Sequence, residues 1–280
     1  MVWVFAVLAF VAGLGIVVQT NRWRFERRVA DEIRALLAVP HSALALPRVD
    51  GLPPPVARYR QLAVGDRAPV RTLRMRHGGT FRMSASGKAL PISGTQLFTA
   101  DPPGFLWLGH VRIAPGVWVN ARDMSVAGAG SMRVLLNDTL PLVDARGPEL
   151  DQGAALRLLA EMAWYPTSLF DGRSITWSAI DADHARATLR LGEREVSGVF
   201  QFGPDGLPLR VTAERYFDKK GLRPWGGAYR DWRSASGMRV PFEAEVSWEL
   251  EAGSFTYAHW LIESMQYGER DTVSSTRSSS

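Results

Sequence analysis

Two stretches of the chain concentrate side chains with chemical capacity. The first, Asp101-Pro102-Pro103-Gly104-Phe105-Leu106-Trp107, is a proline-stiffened turn feeding an aromatic strand that continues to Arg112. The second runs from Asp144-Ala145-Arg146 to Glu161, Trp164, Tyr165 and Pro166. Aromatic rings beside a few guanidinium and carboxylate groups are the ingredients of a pocket for an apolar or amphipathic ligand. Phe105, Trp107, Trp164 and Tyr165 would wall such a pocket, with Glu161 as a polar contact. Arg112, Arg146 or Arg230 would hold a headgroup. The same residues also suit a plain packed core, with Asp144 and Glu161 paired to Arg146 and other guanidiniums. A third option is general acid–base chemistry by two carboxylates, Glu161 with Glu214 or with Asp144.

Other chemistries lack their spacing. The five histidines, His41, His77, His110, His184 and His259, form neither an H-x-H pair nor an H-E-x-x-H helix, so no zinc site is expected. Cysteine is absent, which removes disulfides, thiolate metal sites and a cysteine nucleophile. The chain has no Walker loop, no dinucleotide fingerprint and no G-x-S-x-G elbow; Gly128-Ala129-Gly130-Ser131 reads as a turn between strands. No cofactor and no metal are expected. The net charge of +5 invites a nucleic-acid reading, but no recognition motif accompanies it. All but Lys88, Lys219 and Lys220 of the 33 basic residues are arginine, spread along the chain. No nucleic-acid partner is expected, and no protein partner is legible.

The elements that must position these residues follow from periodicity. Val2 to Val18 is an uncharged apolar run, about 25 Å long as a helix against about 30 Å of hydrocarbon. Trp3 and Trp23 flank it like interfacial anchors, and Arg22, Arg24, Arg27 and Arg28 follow. The expectation is a single-pass transmembrane anchor over 1–20, with the lipid bilayer as partner. The arginines place the remainder in the cytoplasm by the charge rule, with an extracytoplasmic domain as the alternative. Residues 21–39 continue as an amphipathic helix, with Phe25, Val29, Ile33, Leu36 and Leu37 on one stripe. That stripe suits a headgroup surface or the side of a globular domain. Residues 40–65 read as a Pro-rich connector with a short helix over 56–64.

From 66 to 267 the two-residue alternation of strands dominates, as in Phe242, Ala244, Val246, Trp248 and Leu250 against Glu243, Glu245, Ser247 and Glu249. Turn signals every 8–14 residues imply an antiparallel meander of 11–12 strands, among them 70–76, 80–85 and 104–113. One helix interrupts it: Gly147-Pro148-Glu149 opens it, and Leu150, Ala154, Leu158 and Met162 give it an apolar face. A sheet of that size must curl or close, and the helix can cover its concave face. The expected fold is a β-rich α+β half-barrel or barrel, followed by a disordered tail over 268–280.

The strings LPPPVARYRQ (52–61), FTADPPGFLWLGHVRIAPG (98–116), LPLVDARG (140–147), AEMAWYPTSLF (160–170) and RVPFEAEVSWEL (239–250) resemble a bacterial family of membrane-anchored proteins of unknown function. That resemblance spans roughly residues 50–250 and implies no activity and no catalytic residues. In predicted shape the helix-interrupted sheet is similar to the LolA-like lipoprotein and lipid carriers. The expected function is therefore non-catalytic binding of a hydrophobic or amphipathic small molecule, such as a lipid. A protein-interaction module at the membrane and a carboxylate-dependent hydrolase stand as alternatives.

Overall fold

Alternating apolar residues after Arg71 build thirteen strands among the described residues, paired into one antiparallel sheet. The computed structural model describes residues 2–39, 51–218 and 221–268. The connector segment 40–50 and the tail beyond Gly268 lie outside the described residues.

The first six strands form one meander: β1 (Thr72–Phe81), β2 (Leu90–Ala100), β3 (Pro103–Ala114), β4 (Val117–Val126), β5 (Ala129–Leu136) and β6 (Leu140–Arg146). The remaining seven form another: β7 (Ile175–Ala179), β8 (His184–Leu191), β9 (Arg194–Phe202), β10 (Pro208–Asp218), β11 (Gly221–Ala235), β12 (Met238–Leu250) and β13 (Gly253–Gly268). The meanders join where β1 pairs with β13, which leaves β6 and β7 as the two outer edges. The chain must therefore cross from one edge to the other, and α3 (Pro148–Glu161) makes the crossing.

Helix α3 starts where Gly147 holds φ at 125°, a conformation that costs a residue with a Cβ, and Pro148 follows at a position needing no N–H donor. It packs against β3, β4 and β5 of one meander and β8, β9 and β10 of the other, so the sheet curls around it as a half-barrel. One end of the half-barrel is clasped by Asp151. Its carboxylate accepts from Gly130 N at 2.7 Å and from Arg194 Nη2 at 2.8 Å, while Arg194 Nε donates to Gly128 O at 3.2 Å. The β4–β5 and β8–β9 turns are thereby tied to the helix and to each other.

The space inside is unevenly filled. At one end, helix α2 (Pro54–Ala63) inserts Tyr59 among Phe170, Phe202 and Trp232, with ring centroids 5.8–6.1 Å apart. Two short 3₁₀ turns, Met162–Trp164 and Pro166–Phe170, complete that core and are buried throughout. At the other end, the inward positions of β3, β11 and β12 face the cavity described below.

Helix α1 (Val2–Leu37) corrects the reading of the N-terminus. Among the described residues no helix is long and apolar enough to cross a membrane. The uncharged run of 17 residues is not an element of its own; it continues without a break into a half carrying Arg22, Arg24, Arg27, Arg28, Asp31 and Arg34. The single-pass transmembrane anchor expected over 1–20, the cell-membrane placement and the cytoplasmic side inferred from it lose their basis, as does the bilayer partner. Two of the arginines are engaged locally: Arg22 Nε meets Glu26 at 2.9 Å, and Arg27 lies 4.5 Å over the Trp23 ring. The apolar stripe settles against protein. Val29 and Leu36 are buried on the convex face against Leu97 and Leu106, with Phe25, Ile33 and Leu37 beside them. Arg122 reaches across to Glu32 at 3.2 Å.

The strand reading needs two further corrections. The two strands expected at 70–76 and 80–85 are replaced by one, β1 over Thr72–Phe81, because Gly78 and Gly79 continue the pairing with β13 instead of turning; residues 82–85 lie beyond it. Leu140–Arg146, where no strand was expected, is an edge strand. Its residues are mostly exposed, so it has no alternation to reveal it.

Leu158, fully buried on α3 between the meanders, should anchor the closure. Leu158→Ala is expected to lower the unfolding free energy by about 2–5 kcal/mol in urea titration, the range for emptying a buried leucine site.

Candidate ligand cavity and its buried polar floor

Between α3 and the concave face lies a cavity of about 450 Å³. Its walls are largely aromatic and aliphatic: Trp107 and Val111 from β3, Trp225 from β11, Trp248 from β12, and Tyr257 and Trp260 from β13. The pleat explains the set, since alternate residues of each strand share one face. Glycine supplies room in two places. Gly109 lies under the Trp107 ring, where a Cβ would come within 2.2 Å of the indole. At Gly227, which lines the cavity, a Cβ would make only ordinary contacts, the nearest at 3.7 Å, so a side chain can be added there.

The floor is polar and centred on Arg157. Its Nε donates to Glu161 Oε1 at 2.8 Å, Nη1 to Asp123 Oδ2 at 2.8 Å and Nη2 to Gln96 Oε1 at 3.2 Å. Gln96 returns a bond from Nε2 to Glu161 Oε2 at 2.7 Å. The guanidinium also stacks against Phe105 at 4.8 Å and Trp107 at 5.0 Å. Three elements, α3, β4 and β2, are thus joined through one side chain. Burial pushes the Glu161 carboxyl up, opposed by Arg157 and Gln96. Burial pulls the Arg157 guanidinium down, but Glu161 and Asp123 outweigh it and leave its pKa raised. Two carboxylates converge on one cation, so the floor offers no surplus positive charge.

Behind the wall, Trp107 Nε1 donates to His77 Nε2 at 2.8 Å, and the imidazole packs edge-on to Trp260 at 4.7 Å. Because Nε2 accepts, Nδ1 carries the proton and donates to Gly78 O at 3.2 Å. Gly94, opposite His77 across β1 and β2, makes this possible: a Cβ there would lie 2.2 Å from Nε2. Burial lowers the His77 pKa to about 4, with the bond to Gly78 O opposing.

The structure brings only part of the expected residue set together. Trp107, Glu161 and Trp164 line the cavity. Phe105 is buried beneath Arg157, and Tyr165 packs on Phe98 at 4.9 Å within the closed core. Arg112 lines a shallower hollow on the convex side near α1. Arg146 sits on edge strand β6. Arg230 is on the outer face, 2.9 Å from Glu245 and 3.7 Å from Glu243. The acids proposed to pair with Glu161 are elsewhere: Asp144 is on the edge strand 3.8 Å from Arg133, and Glu214 is exposed on β10. Trp3, Arg22, Trp23 and Arg24 lie on exposed parts of α1, with Arg27 and Arg28.

Sequence reasoning passed over Asp123, Gln96, Arg157, Arg215 and His77. The signals were present for three of them. Arg215 falls on the apolar side of Val211-x-Ala213-x-Arg215-x-Phe217, and Asp123 continues Val119-x-Ala121. Arg157 and Glu161 stand four apart on a helix, a spacing that also describes a solvated surface pair.

Two predictions follow from the floor and the wall. Arg157→Met strands two buried carboxylates and is expected to cost about 3–5 kcal/mol in chemical denaturation. Adding Asp123→Asn and Glu161→Gln to that variant should recover most of the loss. For His77 the folded pKa lies below the unfolded value, so its contribution is full above about 6.5 and is lost as pH falls toward 4. The unfolding free energy should drop by about 3 kcal/mol across that window, and His77→Gln should flatten that part of the pH profile.

A model of a family of unknown function, DUF6544, matches residues 43–260. No curated protein matches. Among solved structures, a putative outer membrane lipoprotein-sorting protein domain from Vibrio parahaemolyticus aligns with a TM-score of 0.41 at 12% identity, over 71% of this chain and 86% of that one. A LolA superfamily protein from Nitrosomonas europaea aligns with a TM-score of 0.37 at 9% identity, over 77% of this chain and 93% of that one. The resemblance to that superfamily is distant and partial.

Proposed function

This chain belongs to DUF6544, a family of unknown function, and from that premise we propose that it is a binding protein for a hydrophobic or amphipathic small molecule. The observation that supports the reading is the unfilled half of the half-barrel. Protein interiors pack to the density of organic crystals, and a void of about 450 Å³ walled by indole rings is far from that norm. The opposite end of the same half-barrel is packed with Tyr59, Phe98, Tyr165 and Phe200, so the sequence fills space where filling is wanted. Cavity size and lining fall within the range of small-molecule sites: mostly apolar walls with a few fixed polar groups. A ligand entering this space exchanges water for aromatic surface, which is favourable in proportion to the apolar area covered.

The floor orients instead of reacting. Glu161 and Asp123 are each tied to Arg157 at 2.8 Å, so neither carboxylate is held ready as a base.

The test is binding of 1-N-phenylnaphthylamine, a neutral apolar dye that fluoresces in dry pockets, to the full chain. Saturable binding at one site is expected. Gly227→Leu, which fills the cavity from β11, should weaken it at least about tenfold, the loss of about 1.4 kcal/mol, with the thermal midpoint retained. No dye binding, or binding unchanged in Gly227→Leu, would remove the cavity as a ligand site.

A further inference from the structure

The charges around the cavity are not distributed evenly, and their arrangement has a direction. Among the described residues, five charged side chains line it: Asp123, Arg157, Glu161, Arg215 and Glu245. Three of the side chains are consumed in the floor, where Arg157 holds both Asp123 and Glu161. Glu245 is turned to Arg230, 2.9 Å away. That leaves Arg215, for which no carboxylate partner exists among the described residues.

The position of Arg215 is built. It projects inward from β10 between Trp225, 4.9 Å from its guanidinium carbon, and Trp248 at 5.6 Å. On the helix side it rests on Gly153, where a Cβ would lie 2.9 Å from Nε. Tyr257 Oη accepts from Nη1 at 3.4 Å, and Trp225 Nε1 donates to the same hydroxyl at 3.1 Å. The indole faces and the glycine fix the guanidinium plane and leave most of its N–H groups unspent. A guanidinium so held presents a fork that matches carboxylate and phosphate oxygens.

Arg215 is also close to the opening. The next inward residue of β10, Phe217, is 45% exposed, and Met83 and Ile113, which share the cavity lining, are 70% and 42% exposed. These apolar side chains at the solvent boundary form a rim. The cavity therefore has a cation near its mouth, aromatic walls below it and a charge-compensated floor whose carboxylates would repel an anion.

From this gradient we infer that the ligand is an anionic amphiphile, its carboxylate or phosphate head held by Arg215 at the mouth and its apolar tail running inward along Trp107 and Trp260. The inference rests on the cavity being a ligand site, and it adds the head chemistry and the direction of binding. Arg215 is then the residue that sets specificity. The outward-facing Arg112, Arg146 and Arg230 play no part in it.

The experiment is displacement of phenylnaphthylamine from the full chain by a series sharing one tail: dodecanoate, dodecyl phosphate, dodecanol and dodecylamine, with inorganic phosphate as a tailless arm. A charged hydrogen-bonding pair supports a preference of about tenfold to a hundredfold for the anionic members over dodecanol and dodecylamine. The order of dodecanoate and dodecyl phosphate identifies which head is preferred. Arg215→Gln should erase the preference, bringing dodecanoate and dodecyl phosphate to the affinity that dodecanol shows on the same variant. Arg215→Lys, which keeps the charge without the fork, should retain part of it and guards against a folding defect in the first variant.

Dodecanol matching the anions, or an anion preference surviving in Arg215→Gln, would overturn the assignment while leaving the cavity reading intact. Displacement by inorganic phosphate at concentrations similar to dodecyl phosphate would also overturn it, because the tail would then contribute nothing. Failure of the dye to bind at all would remove both readings together.

Discussion

The structure turns on one guanidinium. Arg157 sits at the point where the crossing helix meets the first meander, and its bonds reach β4 through Asp123, β2 through Gln96 and its own helix through Glu161. Its stacking on Phe105 and Trp107 adds β3. A charge this deep is stable only when paired and hydrogen-bonded, so the helix has little freedom to slide along the sheet without breaking the set. Fixing α3 at that depth fixes how far it stands off the other meander. The sheet cannot collapse onto it near β11, β12 and β13, and the space left over is the cavity.

That constraint also explains why the two ends of one half-barrel behave differently. Beyond Glu161 the chain leaves the helix in two 3₁₀ turns whose residues pack inward, and α2 arrives from the N-terminal side to fill what remains. Tyr59, Phe98 and Tyr165 are buried there to within 1% of full enclosure. Toward the other end α3 contributes Leu150 to the cavity wall, and Gly153 leaves room for the Arg215 guanidinium.

Much of the sheet could be read from alternation, because half-buried antiparallel strands display their two faces directly: β8, β9, β10 and β12 are legible in this way. Strand β6 was not, since an edge strand with both faces wet carries no such pattern. The pair Gly78-Gly79 looked like a turn because glycine serves both turns and close strand approaches, and only the pairing partner decides. The apolar run of the N-terminal helix misled for a different reason: it satisfies a local hydropathy reading, whereas the amphipathic half that follows it docks on Leu97 and Leu106, one of the two surfaces its stripe suited. For the cavity, aromatic residues drew attention to Trp107 and Trp164 correctly placed on its wall, but the choice among thirty arginines depended on register. Arg215 stood on the apolar face of its strand, which was the available clue. Arg112 and Arg230 lie on the outer side of their strands, which the register of the sheet decides.

The central claim is that the half-barrel holds a ligand. It is tested most directly by native mass spectrometry of the full chain, as purified and again after incubation with total lipid extract, with solvent extraction of whatever is bound. The account predicts a discrete adduct of one small amphiphilic molecule per chain, recovered in the organic phase. A bare protein mass under both conditions would contradict it.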